Sequence, residues 1–249
     1  MRSLLVNDLV SENSVFAYVL HYFGISFYEY SDNTLEEACS SKNLNTTKVL
    51  ESLKAAIESP ALKKHELIDY PIELIMEYLK HAHHHFAKYK LPYLNNIIQS
   101  FNKVKHAEAE NLINDLIEIF PSFNREFVEH IYEEEDELFT YVADLSKFVN
   151  EEPISVGKIL KSISMHSLQT HAMEHGSHES GMEGIRKLTH NYSCPKGSPT
   201  HLKVIMNSLK DFENDLIEHA KIENEIFFPK ALQLESKAKQ KLALNSKLN

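Results

Sequence analysis

Tryptophan is absent from this sequence, and glycine and proline are scarce, at six and eight residues among 249. Long stretches without such breakers argue against a sheet protein, which needs frequent turns, and for an all-helical one. Cysteine is nearly missing too. Cys39 and Cys194 are far apart and neither lies in a CxxC context, which excludes a disulfide framework and a thiolate metal site. No stretch approaches the roughly eighteen uncharged apolar residues that a membrane span requires. The opening Met1-Arg2-Ser3-Leu4-Leu5-Val6-Asn7-Asp8 has no sustained apolar run followed by a small-residue cleavage site. A soluble cytoplasmic protein with no membrane partner is therefore expected. Positive charge is also in deficit, the formal net charge being −10. That balance argues against a nonspecific nucleic-acid binder, which needs basic groups to replace phosphate counterions, and suits solubility and the attraction of cations.

What is present is apolar residue, at 43%, enough for a substantial core, and histidine, whose fifteen copies outnumber the thirteen phenylalanines. Imidazole gains little from burial unless both nitrogens are satisfied, so packing does not account for so many.

Along the chain, residues 1–58 read as several short helices with turn signals at Ser31-Asp32-Asn33 and Lys42-Asn43-Leu44-Asn45-Thr46-Thr47, a small helical domain. Four long segments follow, at about 71–104, 107–149, 155–191 and 200–238, split by short polar or proline-bearing joints. This is the pattern of an up-down four-helix bundle over 70–238, with 239–249 as a C-terminal tail. Pro71 suits a first helical position, whereas Pro92 and Pro121 are expected to kink their helices.

Two cassettes stand out, His130-Ile131-Tyr132-Glu133-Glu134 and His219-Ala220-Lys221-Ile222-Glu223. Each puts a histidine one helical turn before a glutamate, offering an imidazole and a carboxylate to one point. A single pair of this kind usually makes a surface hydrogen bond or ion pair. Here both fall on apolar seams: Phe123, Phe127, His130, Glu134, Leu138 in one and Leu209, Phe212, Leu216, His219, Glu223, Ile226 in the other. A carboxylate in such a place must be neutralised, paired or bound to metal.

The first long segment adds His81, His83, His84 and His85, among which helical geometry does not choose, since they cannot all face one way. The third adds His171, Glu174, His175, His178 and Glu179; Leu168, His171, His175, Met182 and Ile185 can share a face. One histidine from each of four helices with two glutamates would suit iron, manganese or zinc, and two bridging carboxylates suggest a dinuclear centre.

With these motifs the chain resembles the iron-sulfur cluster repair family, also called repair of iron centres, which joins a small N-terminal domain to a hemerythrin-like di-iron bundle. The family's first ligand histidine stands seven residues before a Leu-Pro pair, and Leu91-Pro92 selects His84. Its second motif matches His130, Glu134, Glu135 and Leu138-Phe139. Its third is met by Glu174-His175 ahead of Ile185, Thr189 and Asn191, and its fourth by His219, Glu223, Asn224 and Phe228-Pro229. The resemblance implies terminal ligands His84, His130, His175 and His219. It also implies Glu134 and Glu223 bridging two irons together with an oxo or hydroxo group. His83, His85 and His171 are candidates to add or replace a ligand. Glu126 and Glu174 would be carboxylates flanking the centre and affecting activity. The implied role is repair of iron-sulfur proteins damaged by oxidative or nitrosative stress, through iron donation or through handling, even reduction, of nitric oxide, with room for a homodimer. The alternative is a hemerythrin-like protein that binds or senses oxygen or nitric oxide without turnover. Where the family carries a Cys-Cys-Gly-Gly-like motif, this chain has Gly24-Ile25-Ser26-Phe27-Tyr28-Glu29-Tyr30-Ser31, so no thiol step is expected there.

Overall fold

The computed structural model describes residues 1–58, 67–103, 105–165, 168 and 179–247. They form helices α1 (Val6–Glu12), α2 (Val15–Tyr22), α3 (Leu35–Ser41), α4 (Thr46–Glu58), α5 (Ile72–His85), α6 (Leu91–Gln99), α7 (Glu110–Glu133), α8 (Thr140–Val149), α9 (Val156–Met165), α10 (Glu179–Leu188), α11 (Thr200–Ile222) and α12 (Phe228–Lys247). Wider π-helical turns lie at Phe86–Lys90, Glu134–Phe139 and Glu223–Phe227. Among the described residues there is no strand, only an isolated bridge between Leu5 and Thr34. The fold is all-α, as the scarcity of breakers predicts.

Packing separates the chain into two compact units, residues 1–62, 89–121 and 184–214 in one and 63–88, 122–183 and 215–249 in the other. In the first, the short N-terminal helices do not close a core by themselves. Tyr18 and His21 pack on Tyr93, with ring centroids 5.2 and 5.1 Å apart, and Tyr28 stacks on His201 at 4.7 Å. The N-terminal residues share a compact unit with 89–121 and 184–214. The Gly24–Ser31 stretch has a structural job within it. Gly24, at φ 72°, ends α2 in the left-handed conformation and lets the Ile25 amide reach the Leu20 carbonyl at 2.9 Å, which buries Ile25 fully. The family-like run Ile185, Thr189, Asn191 is likewise a helix stop. The buried Thr189 hydroxyl donates to the Ile185 carbonyl at 2.8 Å and accepts from the Tyr192 amide at 3.2 Å, while His190, Asn191 and Tyr192 turn left-handed.

In the second unit, Ile75, Leu79, Leu138, Phe139, Val142, Leu145, Ile226, Phe227 and Ala231 form the core. Helix α12 runs on to Lys247, so residues 239–247 are helical. Lys241 explains part of this, donating to the Phe148 and Val149 carbonyls at 3.2 and 3.4 Å and so satisfying the C-terminal end of α8.

The expected kink at Pro121 is not a break, since α7 passes through it. Pro92 and Pro229 instead sit at the second position of α6 and α12, each just after a π turn. Proline cannot donate to the carbonyl four residues back and its ring crowds that carbonyl. A widened turn just ahead of it accommodates both without ending the helix.

Candidate metal centre

Read forward through α5, the buried positions step Ile75, Leu79, His83, Phe86, the spacing of a helix's inner face. The face therefore delivers His83, 1% exposed, to the interior, whereas His84 is exposed. Opposite it, the π segment Glu134–Phe139 opens with Glu134, 6% exposed. The end of α11 and the π segment after it supply His219 and Glu223, 9% and 0% exposed.

These four side chains converge. Their donor atoms all lie within 4.8 Å of one another. Nε2 of His83 is 3.0 Å from Nε2 of His219 and 3.5 Å from Oε2 of Glu134, and Nε2 of His219 is 2.9 Å from Oε1 of Glu223. The walls are aromatic: Phe139 lies parallel to the His83 ring at 5.8 Å, Phe86 meets His219 edge-on at 5.6 Å, and Phe127 and Phe227 back them. Burial, followed by the negative charge of Glu223, pushes the Glu134 carboxyl well above the usual carboxylate range. Two carboxylates facing one another in an apolar pocket repel unless a proton or a cation lies between them. Two imidazoles aimed at the same point complete a nitrogen-oxygen donor set that suits iron, manganese or zinc. The residues present thus fit a bound cation.

The sequence-predicted residues divide as follows. Glu134, His219 and Glu223 are brought together with His83, while His84 is exposed and lies outside this group. The helical step forward from Ile75 and Leu79 reaches His83, and the π turn Phe86–Lys90 lies between it and Leu91-Pro92. His130 is half-buried and lies outside this group of four. Glu126 is exposed and accepts a hydrogen bond from the Ser122 hydroxyl at 3.1 Å, a surface contact. His171, Glu174, His175 and His178 lie outside the described residues. Glu135 was missed as a partner: its Oε1 stands 2.9 Å from Nδ1 of His83, and burial raises its carboxyl, an effect that Lys80 opposes. Away from this site, Cys39 and Cys194 are free, with burial holding both thiols above their ordinary range. No helix among the described residues is long and apolar enough to cross a membrane.

Residues 74–231 match the hemerythrin HHE cation binding domain. The chain is also similar to proteins described as iron-sulfur cluster repair protein YtfE. That of Pectobacterium carotovorum subsp. carotovorum is 27% identical over 208 residues, covering 80% of this chain and 83% of that protein. The Edwardsiella ictaluri protein is 26% identical over 201 residues and the Yersinia pseudotuberculosis protein 23% over 203, with the same coverage of 80% and 83%.

Proposed function

Because the chain belongs to the hemerythrin HHE cation binding domain family, we propose that it repairs damaged iron-sulfur clusters and that its buried histidine-glutamate cluster holds two iron ions. The observation that carries this reading is the convergence of two buried carboxylates and two buried imidazoles within 4.8 Å. The repair role is supported by the similarity over 80% of the chain to iron-sulfur cluster repair proteins.

In this reading His83, Glu134, His219 and Glu223 would hold the metal, the two imidazoles and the two carboxylates supplying its nitrogen and oxygen donors. His130 and His175 complete the terminal set. Bound iron would supply ferrous-ferric chemistry, a releasable ferrous pool for damaged clusters, and a point of encounter for oxygen or nitric oxide. The protein's own contribution is threefold. The two carboxylates offset the cationic charge, the imidazoles fix the position, and the Phe86, Phe127, Phe139 and Phe227 wall keeps water from the donors. The Glu126 carboxylate, exposed and held by Ser122, and Glu174 would act at the periphery. We place the activity in the cytoplasm, in a single chain or a homodimer, with iron-sulfur proteins as the clients.

The test is reactivation of a cluster enzyme inactivated by peroxide or nitric oxide, using the iron-loaded protein and a Glu134→Ala/Glu223→Ala variant. Wild type should restore activity with stoichiometric loss of its iron, and the double variant should not. Iron-loaded wild type that leaves the enzyme inactive while free ferrous iron restores it would overturn the repair reading.

A further inference from the structure

We propose that Glu135 is the positioning residue of the centre, fixing the tautomer and the ring plane of His83 so that Nε2 faces the other three donors. The inference rests on the metal-binding reading of the cluster and adds to it a residue that touches no metal. An ionised carboxylate only accepts hydrogen bonds, so the 2.9 Å contact between Glu135 Oε1 and His83 Nδ1 places the proton on Nδ1. That leaves Nε2, 3.0 Å from Nε2 of His219 and 3.5 Å from Glu134, with its lone pair directed inward.

One short segment supplies three of the contacts on His83. Glu134 sends its carboxylate into the cluster, and Glu135, next in sequence, reaches the outer nitrogen of His83. Phe139, at the end of the same π turn, lies on the His83 ring at 5.8 Å with only 4° between the planes. The Thr140 hydroxyl donates to the Glu135 carbonyl at 3.4 Å, holding that backbone against the next helix. His219 differs, because its Nδ1 is buried with no hydrogen-bond partner among the described residues. Of the two imidazoles in the cluster, His83 is the one with this orienting contact among the described residues. The Glu135 side chain is 30% exposed, so the competing account is a surface hydrogen bond with no consequence for the centre.

The experiment compares wild type, Glu135→Ala and Glu135→Gln by anaerobic ferrous titration, and by the 15N shifts of His83 in the metal-free proteins at one fixed pH. Metal-free melting temperatures serve as the folding control. Glu135→Ala should weaken ferrous binding by about tenfold to a hundredfold. It should also erase the Nδ1-protonated bias of His83. Glu135→Gln, which keeps an accepting oxygen, should recover most of both. Ferrous affinity within twofold of wild type in Glu135→Ala, or an unchanged His83 tautomer in that variant, would overturn the proposal. Wild type that takes up no ferrous iron would instead overturn the metal-binding reading, and the His83 shifts would still decide the role of Glu135.

Discussion

His83 and His84 are neighbours in sequence with opposite surroundings, and on the proposed reading the buried one is the ligand. His83 is 1% exposed, with Glu135 on one nitrogen and the cluster on the other, while His84 faces outward. His83→Ala should therefore lower ferrous affinity by about tenfold or more, and His84→Ala should leave it within a factor of about two. Anaerobic titration of both variants checks this, and equal losses would show that the two share the role. The contrast also marks how far single residues could be read from sequence. Glu134, His219 and Glu223 were legible because they occupy seam positions where leucine is usual. His83 was not singled out, because helical spacing leaves the choice among His81, His83, His84 and His85 open and the family's spacing to Leu91-Pro92 points to His84. Glu135 was hidden for a different reason: nothing in its position within an acidic run distinguishes a carboxylate that reaches across to another helix.

Helices meet here through a few directed polar contacts as well as through packing. In the first unit, His201 near the start of α11 donates from Nε2 to the Ile97 carbonyl near the end of α6 at 2.8 Å, with Tyr28, Phe27 and Phe101 around its ring. Burial draws its pKa down from 6.5 to about 4, since the charged ring would lose its hydration. The neutral form is the one folding favours, so the unfolded chain binds the proton more readily between those two values. Burial of this ring costs no stability through protonation above pH 6.5; below it the cost of charging a buried imidazole grows, reaching about 3 kcal/mol by about pH 4, with the Ile97 contact opposing the shift. Denaturant midpoints at pH 7.5 and 4.5 should differ more for wild type than for His201→Gln, and an equal difference would contradict the assignment. Helix existence was legible from the lack of breakers. The π turns were not, because they depend on how neighbouring turns absorb a missing amide.

For the molecule as a whole, charge and burial favour a cation-holding role. The surface is acidic, at a net −10, while the second unit encloses two carboxylates and two imidazoles behind phenylalanines. The all-α class and the burial of Glu134, His219 and Glu223 were readable in advance because helical periodicity survives in sequence. The grouping of residues 1–62 with 89–121 and 184–214 was not, since it arises from contacts distant along the chain, such as Tyr28 with Asn96 and Ser11 with Thr200. The most direct measurement is metal content per chain, with an optical spectrum, for wild type and the Glu134→Ala/Glu223→Ala variant purified without added metal. The account predicts about two irons per wild-type chain and loss of both the iron and its absorption band in the variant. Wild type that is metal-free and refuses ferrous iron under anaerobic conditions would contradict it.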